Sequence, residues 1–231
     1  MREASGREAA VHAGVLVPWA NTVVEAELHR WSGGAVIWHY ARLVPTSRTT
    51  ALDERFLVGL LDAVPGALAQ LSALPLQQVY LACTSAAFTY PELASSAAGR
   101  ATVSVVSAFD AIAEALAGCG ASRVILLTPY PDEVAEAEVR MLSRSGISVT
   151  GCASLGLDNG YGGVTRDEVR KLIQKVSEDA VGEAEAIVLS CTGWPTFDVI
   201  PELRRCLKKP VISSNLAMAL HARHAGSDHG C

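Results

Sequence analysis

The chain has 231 residues, of which half are hydrophobic and 19% are charged. That length and apolar content can build one large domain or two smaller lobes with substantial cores. The net charge of −5 gives no basic footprint for nucleic acid, and no apolar run is long enough to span a bilayer. The first ten residues are polar and lack the apolar segment of a secretory signal, so we expect a soluble cytoplasmic protein.

The six cysteines show no Cys-x-x-Cys pair and no regular spacing. A disulfide framework and a structural zinc site are therefore not expected, and the thiols should be free in a reducing compartment. Three histidines and one cysteine near the C-terminus are of the residue types that bind metals, but a frayed tail from Ala222 onward is the better explanation of this region. These four residues are His221, His224, His229 and Cys231.

Short apolar runs alternate with amphipathic stretches, which is the pattern of repeated β–α units around parallel sheets. Continuous apolar character in several runs is typical of strands that are buried on both faces. The predicted strands cover residues 13–17, 35–40, 78–82, 102–106, 123–127, 148–154, 186–190 and 210–212. The sequence thus predicts an α/β fold.

Two segments carry the signature of a capping box, in which a hydroxyl and a carboxylate satisfy the free amides at a helix start. They are Thr22-Val-Val-Glu25 and Thr165-Arg-Asp-Glu168. We therefore expect a helix to begin at each of them.

Another helix is predicted to have Pro131 at its first position, because two acidic residues follow the proline. Helical spacing then places one set of side chains on the face that packs against the core. This set is Val134, Ala137, Met141 and Leu142.

An internal repeat connects the two halves of the chain. Val79-Tyr-Leu-Ala-Cys83-Thr84 and Ile187-Val-Leu-Ser-Cys191-Thr192 are both apolar strands that end in Cys-Thr. The repeat predicts two similar lobes, each a parallel sheet flanked by helices, formed by residues 1–106 plus 213–231 and by residues 107–212. Open α/β sheets bind ligands beyond the carboxyl ends of their strands, so we place the active site in the cleft between the lobes.

A cysteine at a strand end that leads into a helix is suited to chemistry. The helix N-terminal amides stabilise anions, so the thiol is expected to ionise readily while nearby N–H groups hold a carboxylate. Cys83 and Cys191, from opposite sides of a cleft, would form an acid and base pair or a nucleophile and an acid. The alternative is that each is a buried structural thiol, as we expect for Cys119, Cys152 and Cys206.

Five motifs and the segment that follows them occur in an order and spacing that resemble the aspartate/glutamate racemase superfamily. The resemblance covers residues 11–221 and points to the branch of maleate cis-trans isomerases and arylmalonate decarboxylases. The motifs are Val17-Pro18-x-x-Asn21-Thr22-Val-Val-Glu25, Cys83-Thr84-Ser85, Thr128-Pro129-Tyr130, Leu157-Asp158-Asn159, and Leu189-Ser190-Cys191-Thr192 followed by Ile200-Pro-Glu and Pro210-Val-Ile-Ser-Ser.

The resemblance to the isomerases implies a role for each cysteine. Cys83 matches the cysteine that attacks the alkene of maleate, which creates a single bond that can rotate before elimination releases fumarate. Cys191 matches the second cysteine, which handles a proton or assists from the opposite face.

The same resemblance implies which groups bind the substrate. Asn21, Tyr130 and Asn159 match polar residues that hold substrate carboxylates and the intermediate. The negative charge that develops during the reaction requires donors that are already in place. Further donors are expected from Thr84, Ser85 and Thr192.

Other reactions remain open. The decarboxylase resemblance is close in residues 149–156, but those enzymes have glycine where this chain has Cys83. Two thiols would also suit a racemase, in which one removes a proton from carbon and the other returns it. A non-catalytic module that binds small acids is a third reading, although binding alone needs neither cysteine.

The ligands follow from these readings. The expected partner is a small carboxylic or dicarboxylic acid, with no nucleic acid and no membrane, and a homodimer is left open. No metal and no cofactor are expected, because Gly160-x-Gly-Gly163 lacks the strand-to-helix context and the lysine of a phosphate loop. Trp19 and Trp194, in loops expected near the pocket, point to a larger or more apolar diacid than maleate, or else fill the lobe interface.

Overall fold

The computed structural model describes residues 10–99 and 101–225, which form two four-stranded sheets in which every strand pairing is parallel. The first sheet has the order β2-β1-β3-β4, and the second has the order β6-β5-β7-β8, so the two repeat one topology. The strands are β1 Val11–Pro18, β2 Val36–Leu43, β3 Gln78–Leu81, β4 Val105–Ser107, β5 Arg123–Thr128, β6 Ser148–Ser154, β7 Ala186–Leu189 and β8 Val211–Ser213.

Helices connect the strands, as parallel neighbours require. They are α1 Val24–Ser32, α2 Glu54–Asp62, α3 Val64–Leu71, α4 Thr84–Thr89, α5 Pro91–Ala98, α6 Ala108–Gly118, α7 Asp132–Arg144, α8 Arg166–Leu172, α9 Glu178–Glu183, α10 Ile200–Leu207 and α11 Ser214–Ala225. The predicted α/β class with two parallel sheets is confirmed, and each predicted strand overlaps an observed one. The chain positions at which the lobes divide stay a prediction.

The larger hydrophobic core joins the two sheets. It contains Val15 and Tyr80 from the first sheet together with Leu126 and Val188 from the second, all without solvent exposure. Burial of that apolar surface holds the two sheets together and fixes the relation between their strand ends. Within residues 10–99 and 101–225, no helix has the length and apolar character needed to cross a membrane.

One of the two predicted capping boxes is confirmed. The Thr165 side chain accepts a hydrogen bond from the Glu168 amide, and the Glu168 carboxylate accepts one from the Thr165 amide at 2.8 Å. These reciprocal bonds begin α8.

The other predicted capping box, at Thr22, is wrong. α1 begins at Val24, and its free amides are satisfied by Asn21, whose Oδ1 accepts from the Val23 and Val24 amides at 2.9 and 3.1 Å. The Glu25 carboxylate instead accepts a bond from Arg42 at 2.6 Å. An asparagine one position earlier offers the same carbonyl chemistry as a capping hydroxyl, and here it prevails.

The start of α7 differs from the prediction, whereas its predicted inner face is confirmed. Pro131 caps the helix from outside, and the fully buried positions are Ala135, Glu138 and Leu142. The predicted set does face the core: Leu142 belongs to the larger core, and the half-buried Val134, Ala137 and Met141 pack against it. The prediction did not include Glu138, and carboxylates rarely face a core.

The C-terminal end of the described chain is helical. α11 continues to Ala225, so the expectation of a frayed tail from Ala222 onward is wrong for these four residues. Residues 226–231, including His229 and Cys231, lie outside the described residues.

Candidate active site

A cavity of about 300 Å³ lies beyond the carboxyl ends of the strands of both sheets. The loops after β1, β3, β5 and β7 all contribute to its wall. The structure brings all eight predicted site residues together there. They are Asn21, Cys83, Thr84, Ser85, Tyr130, Asn159, Cys191 and Thr192.

Cys83 lies between the end of β3 and the first residue of α4, and only 5% of it is exposed. Its sulfur is 3.7 Å from the Ser85 hydroxyl, and the Ala86 amide also hydrogen-bonds to it. Burial raises the pKa of the Cys83 thiol, while the Ala86 N–H and the Ser85 hydroxyl act in the opposite direction. The thiol therefore already has two donors that favour its anion.

Cys191 follows β7 and has a backbone φ of +120°, a region that residues other than glycine seldom adopt. Its amide donates to the Ser214 hydroxyl oxygen at 3.1 Å, and its sulfur accepts from the Gly193 amide at 3.2 Å. Burial raises the pKa of the Cys191 thiol to about 12, against the opposing effect of the Gly193 N–H and the Tyr130 hydroxyl. Backbone strain of this kind is concentrated at functional sites.

Two expectations about the cysteines need correction. A turn follows Cys191 in place of a helix, so its sulfur has the Gly193 amide for support but no helix N-terminus. Both thiol pKa values are raised, not lowered, because burial outweighs the hydrogen bonds that favour the thiolate. The protein therefore holds both cysteines as neutral thiols near pH 7.

Ser214 connects the two cysteine turns. Its hydroxyl oxygen accepts from the Thr84 hydroxyl at 3.0 Å and from the Cys191 amide at 3.1 Å, and all three residues are buried. The role of Ser214 was missed, although the sequence does show a Ser-Ser pair at the end of the last predicted strand.

Asn21 and Thr192 join the turns a second time. The Thr192 hydroxyl donates to the Ala82 carbonyl at 2.8 Å and accepts from the Asn21 amide nitrogen at 3.2 Å. The Asn21 carbonyl oxygen caps α1. Three of the hydrogen bonds that Asn21 can make are thus internal, which leaves one amide hydrogen for the ligand that we expected it to hold.

The loop after β6 closes one side of the cavity. Asn159 is exposed at its rim and donates to the Asp158 carboxylate at 2.8 Å, while the Asp158 carbonyl accepts from the Leu52 amide at 2.8 Å. A Cβ atom at Gly162 would lie 2.9 Å from the Thr22 hydroxyl, so glycine lets this loop pass closely over the first sheet's loops.

Two tyrosines form an aromatic wall. Tyr130 is buried, and burial raises its pKa, so its hydroxyl stays a neutral donor beside Cys191. Tyr161 was missed by the sequence reasoning; its ring meets that of Tyr130 edge-on at 5.8 Å, and its hydroxyl donates to the Leu157 carbonyl at 3.3 Å. The sequence did offer a signal for Tyr161, since it is an aromatic residue inside a glycine-rich loop.

No charged side chain lines the cavity in the described part of the chain, and no histidine does either. A bound carboxylate would therefore be held by hydroxyl, amide and backbone N–H groups. Apolar side chains, among them Leu52 and Phe56, cover another part of the wall.

A third residue that sequence reasoning missed lies outside the cavity lining. Glu138 of α7 is fully buried, and its Oε1 accepts a hydrogen bond from the hydroxyl of Ser190, the residue before Cys191. Burial raises the pKa of its carboxyl to about 8, although the Ser190 bond acts in the opposite direction.

Neither tryptophan lines the cavity. Trp194 is fully buried in the larger core, and the half-buried Trp19 ring donates to the Thr49 carbonyl at 3.2 Å. The tryptophans are therefore structural here, and the aromatic bulk at the cavity comes from Phe56 and the two tyrosines.

Comparison with known proteins identifies a sequence family. A family profile described as arylmalonate decarboxylase matches residues 58–230, about three quarters of the chain. Arylmalonate decarboxylase from Bordetella bronchiseptica is 36% identical over 109 residues, which cover 46% of this chain and 45% of that protein. In that comparison the chain spans somewhat less than half of the relative's length.

Solved structures share the fold. A variant of Nocardia farcinica maleate cis-trans isomerase with a covalently bound succinylcysteine intermediate has a TM-score of 0.83 at 21% identity, covering 94% of this chain and 93% of that one. Maleate isomerase Iso from Pseudomonas putida S16 gives 0.83 at 20% identity, with the same coverage. Unliganded arylmalonate decarboxylase gives 0.77 at 24% identity, covering 96% and 94%.

Proposed function

Because the chain belongs to the arylmalonate decarboxylase family and is an enzyme of that family, we propose that it is a cofactor-independent cis-trans isomerase of maleate or a related unsaturated dicarboxylate. The observation that carries the proposal is the pair of buried thiols, Cys83 and Cys191, which line one cavity from corresponding ends of two similar sheets. Binding a small acid would require no such pair.

Cys83 is the proposed nucleophile. Its proton leaves to solvent, and the thiolate, supported by the Ala86 N–H and the Ser85 hydroxyl, adds to one alkene carbon. The electron pair of the double bond moves toward the neighbouring carboxylate as the carbon–sulfur bond forms. The carbon–carbon bond is then single, rotates, and re-forms as the trans alkene when the thiolate is expelled.

Negative charge builds on the activated carboxylate during this addition, and neutral donors must receive it. The hydroxyls of Thr84 and Tyr130 line the cavity, as does the turn at Thr192. Because no cationic side chain among residues 10–99 and 101–225 lines the cavity, these residues do not over-stabilise the charge of the bound substrate, and the neutral donors act most strongly where charge develops.

Cys191 is proposed to hold a proton. Its high thiol pKa keeps it protonated at neutral pH, so it can donate a hydrogen bond or its proton to the carbon that becomes nucleophilic; a proton given to that carbon returns to the Cys191 thiolate as the trans alkene re-forms. The Gly193 amide and Tyr130 hydroxyl near its sulfur would support the thiolate that remains. The two thiols thereby have different tasks.

Related structures support a thioether intermediate. The Nocardia farcinica isomerase variant carries a covalently bound succinylcysteine, which is the product expected when a thiol adds to maleate. At 21% identity this likeness establishes a common fold, and the transfer of chemistry to Cys83 is our proposal.

The second candidate is carbanion chemistry, either racemisation by both cysteines or decarboxylation with Cys191 as the proton donor. The family match favours this candidate, because the profile is that of arylmalonate decarboxylase. Solved arylmalonate decarboxylase structures include a variant in which a glycine is replaced by cysteine. The natural presence of Cys83 in this chain, at a turn that matches that of Cys191, favours the isomerase.

The apolar part of the wall bears on the substrate. Leu52 and Phe56 give the cavity an apolar part alongside its hydroxyl and amide donors. We propose that a substituted or longer unsaturated diacid is accepted as well as maleate, because an apolar substituent would gain from burial there.

NMR of the purified protein in deuterated buffer tests the proposal. Maleate, an arylmalonate and a racemisable amino acid are supplied in parallel, since alkene isomerisation, loss of carbon dioxide and α-deuteration give separate signals. Conversion of maleate or a substituted maleate supports the isomerase. Carbon dioxide release or α-deuteration, without any alkene conversion, would replace it by the second candidate.

A further inference from the structure

Glu138 occupies a position that packing alone would give to an apolar residue. It lies on the inner face of α7 between Ala135 and Leu142, and none of its surface is exposed. A buried carboxyl loses its hydration, which strongly disfavours its ionised form when no cation is near. Among the described residues no ion pair includes Glu138, so its charge has no direct compensation.

The hydrogen bonds of Glu138 are incomplete. Its Oε1 accepts from the Ser190 hydroxyl, while its Oε2 is buried without a partner among the described residues. A carboxyl with one unsatisfied oxygen is a poor structural element, because leaving a buried acceptor unpaired destabilises the fold. A role beyond packing would account for it.

Its single bond leads directly to the reactive turn. Ser190 directly follows β7, and its amide donates to the Leu127 carbonyl at 2.9 Å. The next residue is Cys191, whose backbone φ is +120°. Glu138 therefore fixes the side chain that immediately precedes the strained cysteine.

Glu138 lies beside the Cys191 turn through its bond with Ser190. Its negative charge, when present, adds to burial in raising the pKa of the Cys191 thiol, whereas the pKa of the Cys83 thiol is raised by burial and opposed by the Ala86 N–H and the Ser85 hydroxyl. The other titratable groups that face it are Tyr130 at the start of α7 and Cys152 on β6, and both feel its charge in the same direction. The two thiols are thus electrostatically unequal.

We propose that Glu138 is a positioning residue that, through Ser190, assigns the tasks of the two thiols. When ionised, Glu138 opposes ionisation of the neighbouring Cys191, which thus remains the proton donor, and leaves Cys83 as the thiol that ionises and attacks. The assignment of donor and nucleophile rests on the proposed function, whereas the unequal effect of Glu138 on the two thiols does not.

Alkylation by iodoacetamide without substrate measures this effect. Peptide mass spectrometry follows Cys83, Cys152 and Cys191 separately at pH 9, where thiolate is the reacting form. Glu138→Gln keeps the size and the acceptor for Ser190 but removes the charge. Alkylation of Cys191 should rise about 3–10-fold, which corresponds to a pKa lower by about half to one unit, and Cys152 should also react faster. The rate at Cys83 should change less than about twofold.

Glu136→Gln is the matched control, since Glu136 lies on the exposed face of the same helix and pairs with Arg140 at 3.7 Å. It should leave the rates at Cys83 and Cys191 unchanged, while Cys152, whose pKa is also raised by the charge of Glu136, should react somewhat faster. Equal acceleration of Cys83 and Cys191 in Glu138→Gln would indicate a loosened structure and overturn the proposal, as would no change at Cys191.

The wild-type protein supplies a test that does not depend on a variant's folding. Glu138 ionises near pH 8, so the logarithm of the Cys191 alkylation rate should rise with less than unit slope across that pH, while Cys83 keeps unit slope. Unit slope at Cys191 throughout would contradict the proposal. Because no substrate is present, this result is independent of whether the enzyme isomerises, racemises or decarboxylates.

Discussion

The Thr192 hydroxyl donates a hydrogen bond of 2.8 Å to the Ala82 carbonyl. This bond joins the residue that follows Cys191 to the residue that precedes Cys83, although 110 positions separate them. The two cysteine turns are thereby held at a fixed separation across the cavity.

Thr192→Val should weaken that connection, because valine keeps the branched shape but cannot donate. We expect kcat to fall about tenfold or more, since small misplacement of reacting groups is costly, and the unfolding free energy to drop by about 1–2 kcal/mol. Steady-state kinetics and urea denaturation measure the two effects. Thr192→Ser, which retains the hydroxyl, should stay within a few-fold of wild type. Equal activity of the valine and serine variants would show that the bond does not position the turns.

Tyr130→Phe tests the hydroxyl near Cys191. Loss of one donor that stabilises developing charge costs on the order of 10²-fold in kcat, and burial of the ring should leave the fold intact. Tyr161→Phe is the matched control, because the Tyr161 hydroxyl donates to the Leu157 carbonyl at 3.3 Å and not to a thiol. Its kcat should stay within a few-fold of wild type. Similar losses in the two variants would show that the rings act only by packing.

Glu138 should give the protein a distinctive pH dependence of stability. Its folded-state pKa of about 8 exceeds its ordinary value of 4.5, so between these pH values the native state holds a proton that the unfolded chain has released. The contribution of Glu138 to the unfolding free energy therefore falls by about 1.4 kcal/mol per pH unit across this window and levels off above pH 8. Glu138→Gln should lose this slope. Denaturation curves at pH 5, 6.5 and 8 give the unfolding free energies of the wild type and of Glu138→Gln. The same change of unfolding free energy with pH in both proteins would contradict the assignment.

Cys191→Ser separates the two candidate reactions. In the isomerase, Cys191 assists, and serine can still donate a hydrogen bond, so some maleate conversion should persist and the product should keep its vinylic hydrogens. In a racemase, each cysteine must move a proton at carbon, and serine is a far weaker base at neutral pH. That variant would then exchange the α-hydrogen of one enantiomer only, which deuterium NMR would detect in a saturated acid.

Much of the fold could be predicted from the sequence, because buried parallel strands leave a strong apolar pattern. The two strands that end in Cys-Thr, at Cys83 and Cys191, also predicted where the cavity lies. Element ends were less certain where side chains compete, as at Asn21, whose Oδ1 accepts from the Val23 and Val24 amides at the start of α1 in place of the Thr22 hydroxyl.

Long-range contacts explain what the sequence could not provide. Ser214 meets Thr84 and Cys191 only after folding, and Glu138 meets Ser190 across 52 positions. The raised thiol pKa values have the same origin, since burial is a property of the folded chain and cannot be deduced from a strand-end motif.

The most direct test of the central claim is the search for a covalent adduct on Cys83. Wild-type enzyme is acid-quenched during turnover of maleate, digested, and analysed by peptide mass spectrometry, with Cys83→Ala and Cys119→Ala treated in parallel. We predict a mass increase equal to one substrate molecule on the Cys83 peptide in the wild type and in Cys119→Ala, and a loss of turnover on the order of 10³-fold or more in Cys83→Ala. Turnover at the wild-type rate in Cys83→Ala, together with the absence of an adduct on the Cys83 peptide of the wild-type enzyme and of Cys119→Ala, would contradict the account.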